Sequence, residues 1–180
     1  MKIKSTTLAV LATSILTLSA LGCDGEGTNS PGSSGGGYAD LGISLNNLDD
    51  ESVSIASDTA NDLHVLAFWA TWCVPCTGEL AQMKDVHAKL ADRGVKIYAI
   101  SIDSPDTISR VPGFAAQEEW PFPVLYDSDT AVMARWNPKG DIPFYVVLDA
   151  DGNVLKTHQG YVKGDVDKLE QFLIEKLPAE

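Results

Sequence analysis

Phe68-Trp69-Ala70-Thr71-Trp72-Cys73-Val74-Pro75-Cys76 holds two of the chain's three cysteines. It lies where an apolar run, residues 65–68, gives way to a helical pattern. Two thiols with two residues between them close a small disulfide if the backbone turns into a helix there. Cys73 would then sit at the helix N-terminus, where unpaired N–H groups and the positive end of the dipole stabilise a thiolate. Cys76, one turn further in, would be more buried and keep a higher pKa. That asymmetry suits Cys73 to attack a partner's disulfide and Cys76 to resolve the mixed disulfide. Pro75 is tolerated because the first helical turn has no intrahelical use for its missing N–H. Half a zinc site is the competing reading of C-x-x-C. It lacks a second cysteine pair, and His64, His87 and His158 lack the finger spacing. An inert staple is the other, but so small a loop constrains the unfolded chain little.

The pattern outside this stretch is α/β. Residues 45–55 read as two short strands around an acidic turn. The continuous apolar run of residues 65–69 suits a buried central strand. Leu80, Met83, Val86, His87 and Leu90 recur at helical spacing, and Gly94 marks the end. His87 reads as an ordinary helix residue beside that stripe. Residues 95–102 alternate as a strand and reach Asp103-Ser104-Pro105, a plausible helix start. Residues 107–119 suit a helix that Pro112-Gly113 would interrupt. Residues 122–126 read as a strand, and residues 129–136 as a short helix capped by Ser128 or Asp129. Asp151-Gly152 signals a hairpin between strands at residues 144–148 and 154–157. Val166, Leu169, Phe172, Leu173 and Leu177 make the apolar stripe of a closing helix, with Ile174 at its margin. Crossover helices imply parallel pairs early in the sheet, and the last hairpin an antiparallel end.

Trp69-Ala70-Thr71-Trp72-Cys73-Val74-Pro75-Cys76 resembles the active site of the thioredoxin superfamily. From about residue 40 onwards the chain resembles the membrane-tethered TlpA/ResA/DsbE-type thiol-disulfide oxidoreductases. The resemblance implies a thioredoxin-like α/β fold with an N-terminal β-hairpin and a helix-containing insert between about residues 105 and 136. It implies disulfide reduction in exported proteins, apocytochrome c maturation being one use, with a membrane electron donor and no cofactor or metal. It also assigns roles. Pro143 would be a cis-proline beside the cysteines, with the backbone of Ile142 pairing with substrate. Glu79 completes C-x-x-C-x-x-E and would assist proton transfer, whereas thioredoxin proper keeps an acid in the preceding strand, where this chain has Ala67. Ala81 stands where these proteins usually carry a helix-kinking proline. Gly78 costs about 1 kcal/mol of helix propensity relative to alanine, for no reason visible in the sequence. Trp72 is expected to shield the site and offer partners an apolar surface, while Trp69, Trp120 and Trp136 are expected in the core.

Lys2 and Lys4 precede an apolar segment that ends in Ala20-Leu21-Gly22-Cys23. This reads as a secretory signal over residues 1–22, and the small residue before Cys23 resembles the bacterial lipobox, which implies lipidation of Cys23 and membrane attachment. A plain signal peptide or an uncleaved anchor is the alternative. Residues 23–37, mostly Gly, Ser, Asn and Pro, read as a flexible tether to a domain spanning residues 38–180. Cysteine usage agrees: with Cys23 lipidated, Cys73 and Cys76 remain as one pair. The formal charge of −12 becomes −14 once the two lysines of the leader are removed, which argues against nucleic-acid binding through basic patches. Two rivals share the fold. A peroxiredoxin-like peroxidase would carry Thr three residues before its nucleophile, where this chain has Ala70. A Sco-like copper carrier would space its cysteines by three residues and add a distant histidine, a part His158 is available to play.

Overall fold

A computed structural model describes residues 42–55 and 60–178. The leader, Cys23 and the tether expected at residues 23–37 lie outside these residues. The elements are β1 (Ser44–Asn47), β2 (Ser52–Ser54), β3 (Leu63–Trp69), α1 (Val74–Leu90), β4 (Val95–Ser101), α2 (Val111–Glu118), β5 (Val124–Tyr126), β6 (Phe144–Asp149), β7 (Val154–Gln159) and α3 (Asp165–Lys176). One seven-stranded sheet takes the order β2-β1-β5-β4-β3-β6-β7. β3 runs parallel to β4, and β4 to β5. The remaining pairs are antiparallel, including the expected hairpins at both edges.

β3 is buried along its whole length because both faces of the sheet are covered at its centre. Val65, Ala67 and Trp69 point into one layer with Leu80, Met83, Val86 and Leu90 of α1, Val111 and Ala115 of α2, and Leu169 and Leu173 of α3. Leu66 and Phe68 point the other way, among Tyr98, Ile100, Met133, Phe144 and Val146. Burying each such aliphatic side chain is worth about 1.5–3 kcal/mol, which is why the period-two and helical patterns dominate the reading. Ile174 is exposed, at the margin of the α3 stripe as expected.

Three local readings are corrected. Pro112 does not interrupt a helix. It occupies the first turn of α2, where no N–H is missed, behind a one-turn 3-10 segment at Ile108–Arg110. Asp103-Ser104-Pro105 starts no helix; the chain instead turns, with the Thr107 and Ile108 N–H groups donating to the Ser104 carbonyl. The helix expected over residues 129–136 shrinks to a 3-10 turn at Met133–Arg135. Its cap is the buried carboxylate of Asp127, which accepts the Val132 and Met133 N–H groups at 3.1 and 2.9 Å. Asp129 accepts the Ala131 N–H instead. Pro138 comes soon after, and a residue before proline is driven out of the helical region.

Candidate active site

The dithiol is built where β3 ends. The Cys73 N–H donates to the Ala70 carbonyl at 3.0 Å, closing a turn that delivers Cys73 to the N-cap of α1, with Pro75 in the first turn. Cys73 and Cys76 form a disulfide with Cα atoms 5.3 Å apart. Both are buried, Cys76 the more deeply, so the asymmetry is in the expected direction. Trp72 is 59 % exposed and Val74 81 % exposed, which leaves an apolar rim around the sulfurs.

The Ile142–Pro143 bond is cis. Phe68 pairs with Phe144 across β3 and β6, and one further step of that register sets Pro143 against Trp69. The proline therefore lies at the same end of the sheet as the disulfide. Its loop is held from outside. Asn137 donates to the Asp141 carbonyl at 2.7 Å and to the Gln159 side-chain oxygen at 3.0 Å, while Gln159 donates to the Pro143 carbonyl at 3.0 Å.

Glu79 is not a solvent-facing helix residue. It is 1 % exposed, on the same buried face of α1 as Cys76, and its Oε1 finds no hydrogen-bond partner among the described residues. Burial, reinforced by the charge of Asp165, lifts its pKa from an ordinary 4.5 to about 8. Tyr145 is pushed upward by burial and then by the charges of Glu79 and Asp165. Asp165 goes the other way, held down first by the Val162 N–H at 2.9 Å and then by Lys168 at 3.1 Å and His158 at 3.2 Å. The Tyr145 ring stacks on His158 with centroids 5.1 Å apart. None of Tyr145, His158 or Asp165 carries a motif that sequence reasoning could have tied to Glu79; strand register and the start of α3 bring them together.

Two further features find explanations. A Cβ on Gly78 would lie 3.3 Å from the Tyr161 ring, and Gln82 donates to the Tyr161 hydroxyl, so the glycine lets the β7–α3 loop lie against α1. α1 runs unbroken through Ala81. Trp69 is fully buried and meets Trp120 edge-on at 4.6 Å; Trp120 and Trp136 are half-buried and pack against the core rather than inside it. His87 lies edge-on to Phe122, and its pKa is lowered by burial and then by Lys96. No group of three or more metal-ligating side chains occurs among the described residues, and no described helix is long and apolar enough to cross a membrane.

The chain is similar to known proteins in sequence and in fold. The model of the AhpC/TSA family matches residues 41–163. The chain is 30 % identical over 131 residues to the thiol-disulfide oxidoreductase ResA of Oceanobacillus iheyensis, covering 73 % of this chain and 66 % of that one. It is 34 % identical over 113 residues to the ResA of Bacillus cereus, covering 63 % and 62 %. The aligned region thus spans a little under two-thirds of these relatives. Among solved structures, a candidate thiol:disulfide interchange protein DsbE from Chlorobium tepidum superposes with a TM-score of 0.66 at 26 % identity, covering 76 % of this chain and 93 % of that one.

Proposed function

The chain belongs to the AhpC/TSA family, and we propose that it is an exported thiol-disulfide oxidoreductase of the ResA/DsbE kind that reduces disulfides in extracytoplasmic proteins. The observation that carries this reading is the Cys73–Cys76 disulfide at the start of α1 with the buried carboxyl of Glu79 behind it on the same helix face. In the reduced protein, the Cys73 thiolate is favoured by the helix terminus and attacks one sulfur of a partner disulfide. The partner's other sulfur leaves as a thiolate, and a mixed disulfide forms. Cys76 must then lose its proton before it attacks the Cys73 sulfur. Glu79, lifted to a pKa of about 8, lies far nearer the range of thiols than an exposed carboxylate does, and its ionised form takes that proton. The partner leaves as a dithiol, and the protein is oxidised by two electrons to its disulfide. A dithiol donor at the membrane returns those electrons. Trp72 and the cis Ile142–Pro143 segment form the surface on which the partner chain lies.

Anchoring rests on the leader: Cys23, acylated, would hold the domain at a bacterial membrane on a Gly/Ser tether, in the periplasm, and apocytochrome c is one substrate of fitting chemistry. The peroxidase reading has Ala70 against it, and the copper reading has the two-residue cysteine spacing against it. Both relatives above are named thiol-disulfide oxidoreductases.

The test is a trap. Cys76→Ser protein, reduced and exposed to extracytoplasmic extracts, is expected to accumulate disulfide-linked partners on Cys73. Glu79→Gln, in a quenched time course with insulin as the disulfide substrate, is expected to accumulate mixed disulfide near neutral pH and to turn over more slowly. A Cys76→Ser protein that captures nothing, together with wild-type protein that leaves insulin disulfides intact, would refute the reading.

A further inference from the structure

Asp103 is a fully buried carboxyl that the mechanism leaves unused, and it holds the turn that carries the nucleophile. β4 pairs with β3 as far as Ser101 opposite Trp69. The Ile102 N–H extends the ladder by one bond to the Trp69 carbonyl at 2.9 Å. Beyond that point β3 has turned away, and a side chain takes over from the backbone. Asp103, 0 % exposed, accepts the Thr71 N–H at 2.8 Å on one oxygen and the Thr71 hydroxyl at 2.6 Å on the other. Ser101 donates its hydroxyl to Asp103 at 3.0 Å and receives the Asp103 N–H at 3.1 Å. Both donors of Thr71 are thus gripped by one planar acceptor, the two-point geometry that fixes orientation as well as distance.

Thr71 is the second residue of the turn whose fourth residue is Cys73, closed by the Cys73 N–H on the Ala70 carbonyl. Fixing Thr71 therefore fixes where Cys73 meets the end of α1 and how Trp72 projects. The field of a helix terminus acts only over its first turn, so a small displacement of the sulfur costs thiolate stabilisation. We propose that Asp103 is a positioning residue that, through Thr71, holds the Cys73 sulfur against the N-terminus of α1 for nucleophilic attack. This deepens the thiol-disulfide reading and rests on it for its purpose, although the clamp itself is a property of the folded chain.

Thr71→Val is nearly isosteric, keeps the backbone N–H and the carboxyl of Asp103, and removes only the hydroxyl bond. Thr71→Ser restores that bond. The measurement is the pH profile of Cys73 alkylation by iodoacetamide in the reduced full-length chain, with site-resolved mass spectrometry as the readout. In Thr71→Val the midpoint is expected to move up by about half a pH unit or more, lowering the rate at pH 6 by about threefold or more, while Thr71→Ser matches wild type. Should Thr71→Val fail to fold, Ser101→Ala loosens the same carboxyl from its other side and is expected to shift the profile in the same direction. A Thr71→Val profile that superimposes on wild type overturns the proposal, as does a Thr71→Ser profile displaced equally far, or, where Ser101→Ala stands in, an unmoved profile. Insulin reduction by wild-type protein is run alongside. Its absence would sink the oxidoreductase reading, and the alkylation profiles would still judge the clamp.

Discussion

Glu79→Gln should change how stability depends on pH, not only how fast the protein turns over. A carboxyl raised from 4.5 in the unfolded chain to about 8 in the fold binds its proton more tightly when folded. Its stabilising contribution is whole below pH 4.5 and is lost as pH rises through 8. With about 1.4 kcal/mol per pH unit, the loss is under about 1 kcal/mol at pH 5, about 3 kcal/mol at pH 7 and nearly 5 kcal/mol at pH 9. Glutamine occupies the same volume and cannot ionise. It also buries an amide in place of a carboxylic acid, but that difference does not vary with pH. The informative quantity is therefore the wild-type-minus-variant difference in unfolding free energy, in which every other titrating group common to both proteins cancels. Urea unfolding of the oxidised proteins between pH 5 and 8.5 should show the variant gaining about 4 kcal/mol on wild type across that window. A difference that stays flat would refute the reasoning, because it would mean that Glu79 ionises as easily in the fold as in water.

Three other outcomes are expected, two from the structure and one from the leader sequence. In reduced protein at pH 6, Cys73 should alkylate roughly tenfold faster than Cys76, because only Cys73 caps the helix; faster labelling of Cys76 would reverse their roles. Cys23→Ser should release the protein from the membrane fraction or block its processing, and unchanged fractionation with normal cleavage would rule out the lipid. Gly78→Ala should fail to gain the roughly 1 kcal/mol that a helical glycine normally yields to alanine, because its Cβ meets the Tyr161 ring, and should recover that gain in a Tyr161→Ala background.

Local spacing encodes the part of the fold that is legible in the sequence. The α/β pattern, the hairpins at both sheet edges, the redox pair and its helix all arise from apolar periods and from two cysteines at a strand-to-helix junction. The cis bond at Pro143 is legible only through resemblance, since nothing in Ile142-Pro143 itself distinguishes cis from trans. The hidden part depends on residues far apart in the chain. Asp103 looks like the cap of a helix starting at Ser104, and only the parallel pairing of β3 with β4 turns it towards Thr71. Asp127 outcompetes Ser128 and Asp129 because it alone is buried beneath the turn it caps. Gly78 looks like a defect until Tyr161 arrives from the other end of the fold.

The same long-range packing bears on direction. On the proposed reading Glu79 must take a proton from Cys76 when the protein reduces a partner and give one back when the protein is itself reduced. An exposed carboxyl, ordinarily ionised far below neutral pH, would accept a thiol's proton only weakly. Burial, with Asp165 held anionic nearby by Val162, Lys168 and His158, lifts Glu79 towards the range of thiols. The upward shift narrows the gap between the carboxyl and the thiol, which lowers the cost of proton exchange in both directions. On that reading the carboxyl serves both directions, and the direction of electron flow is set by the relative potentials of the partner disulfide and the membrane dithiol donor. Glu79→Gln should accordingly slow both half-reactions by similar factors in stopped-flow experiments with reduced and oxidised partners. A defect confined to one half-reaction would show that the carboxyl serves one direction only.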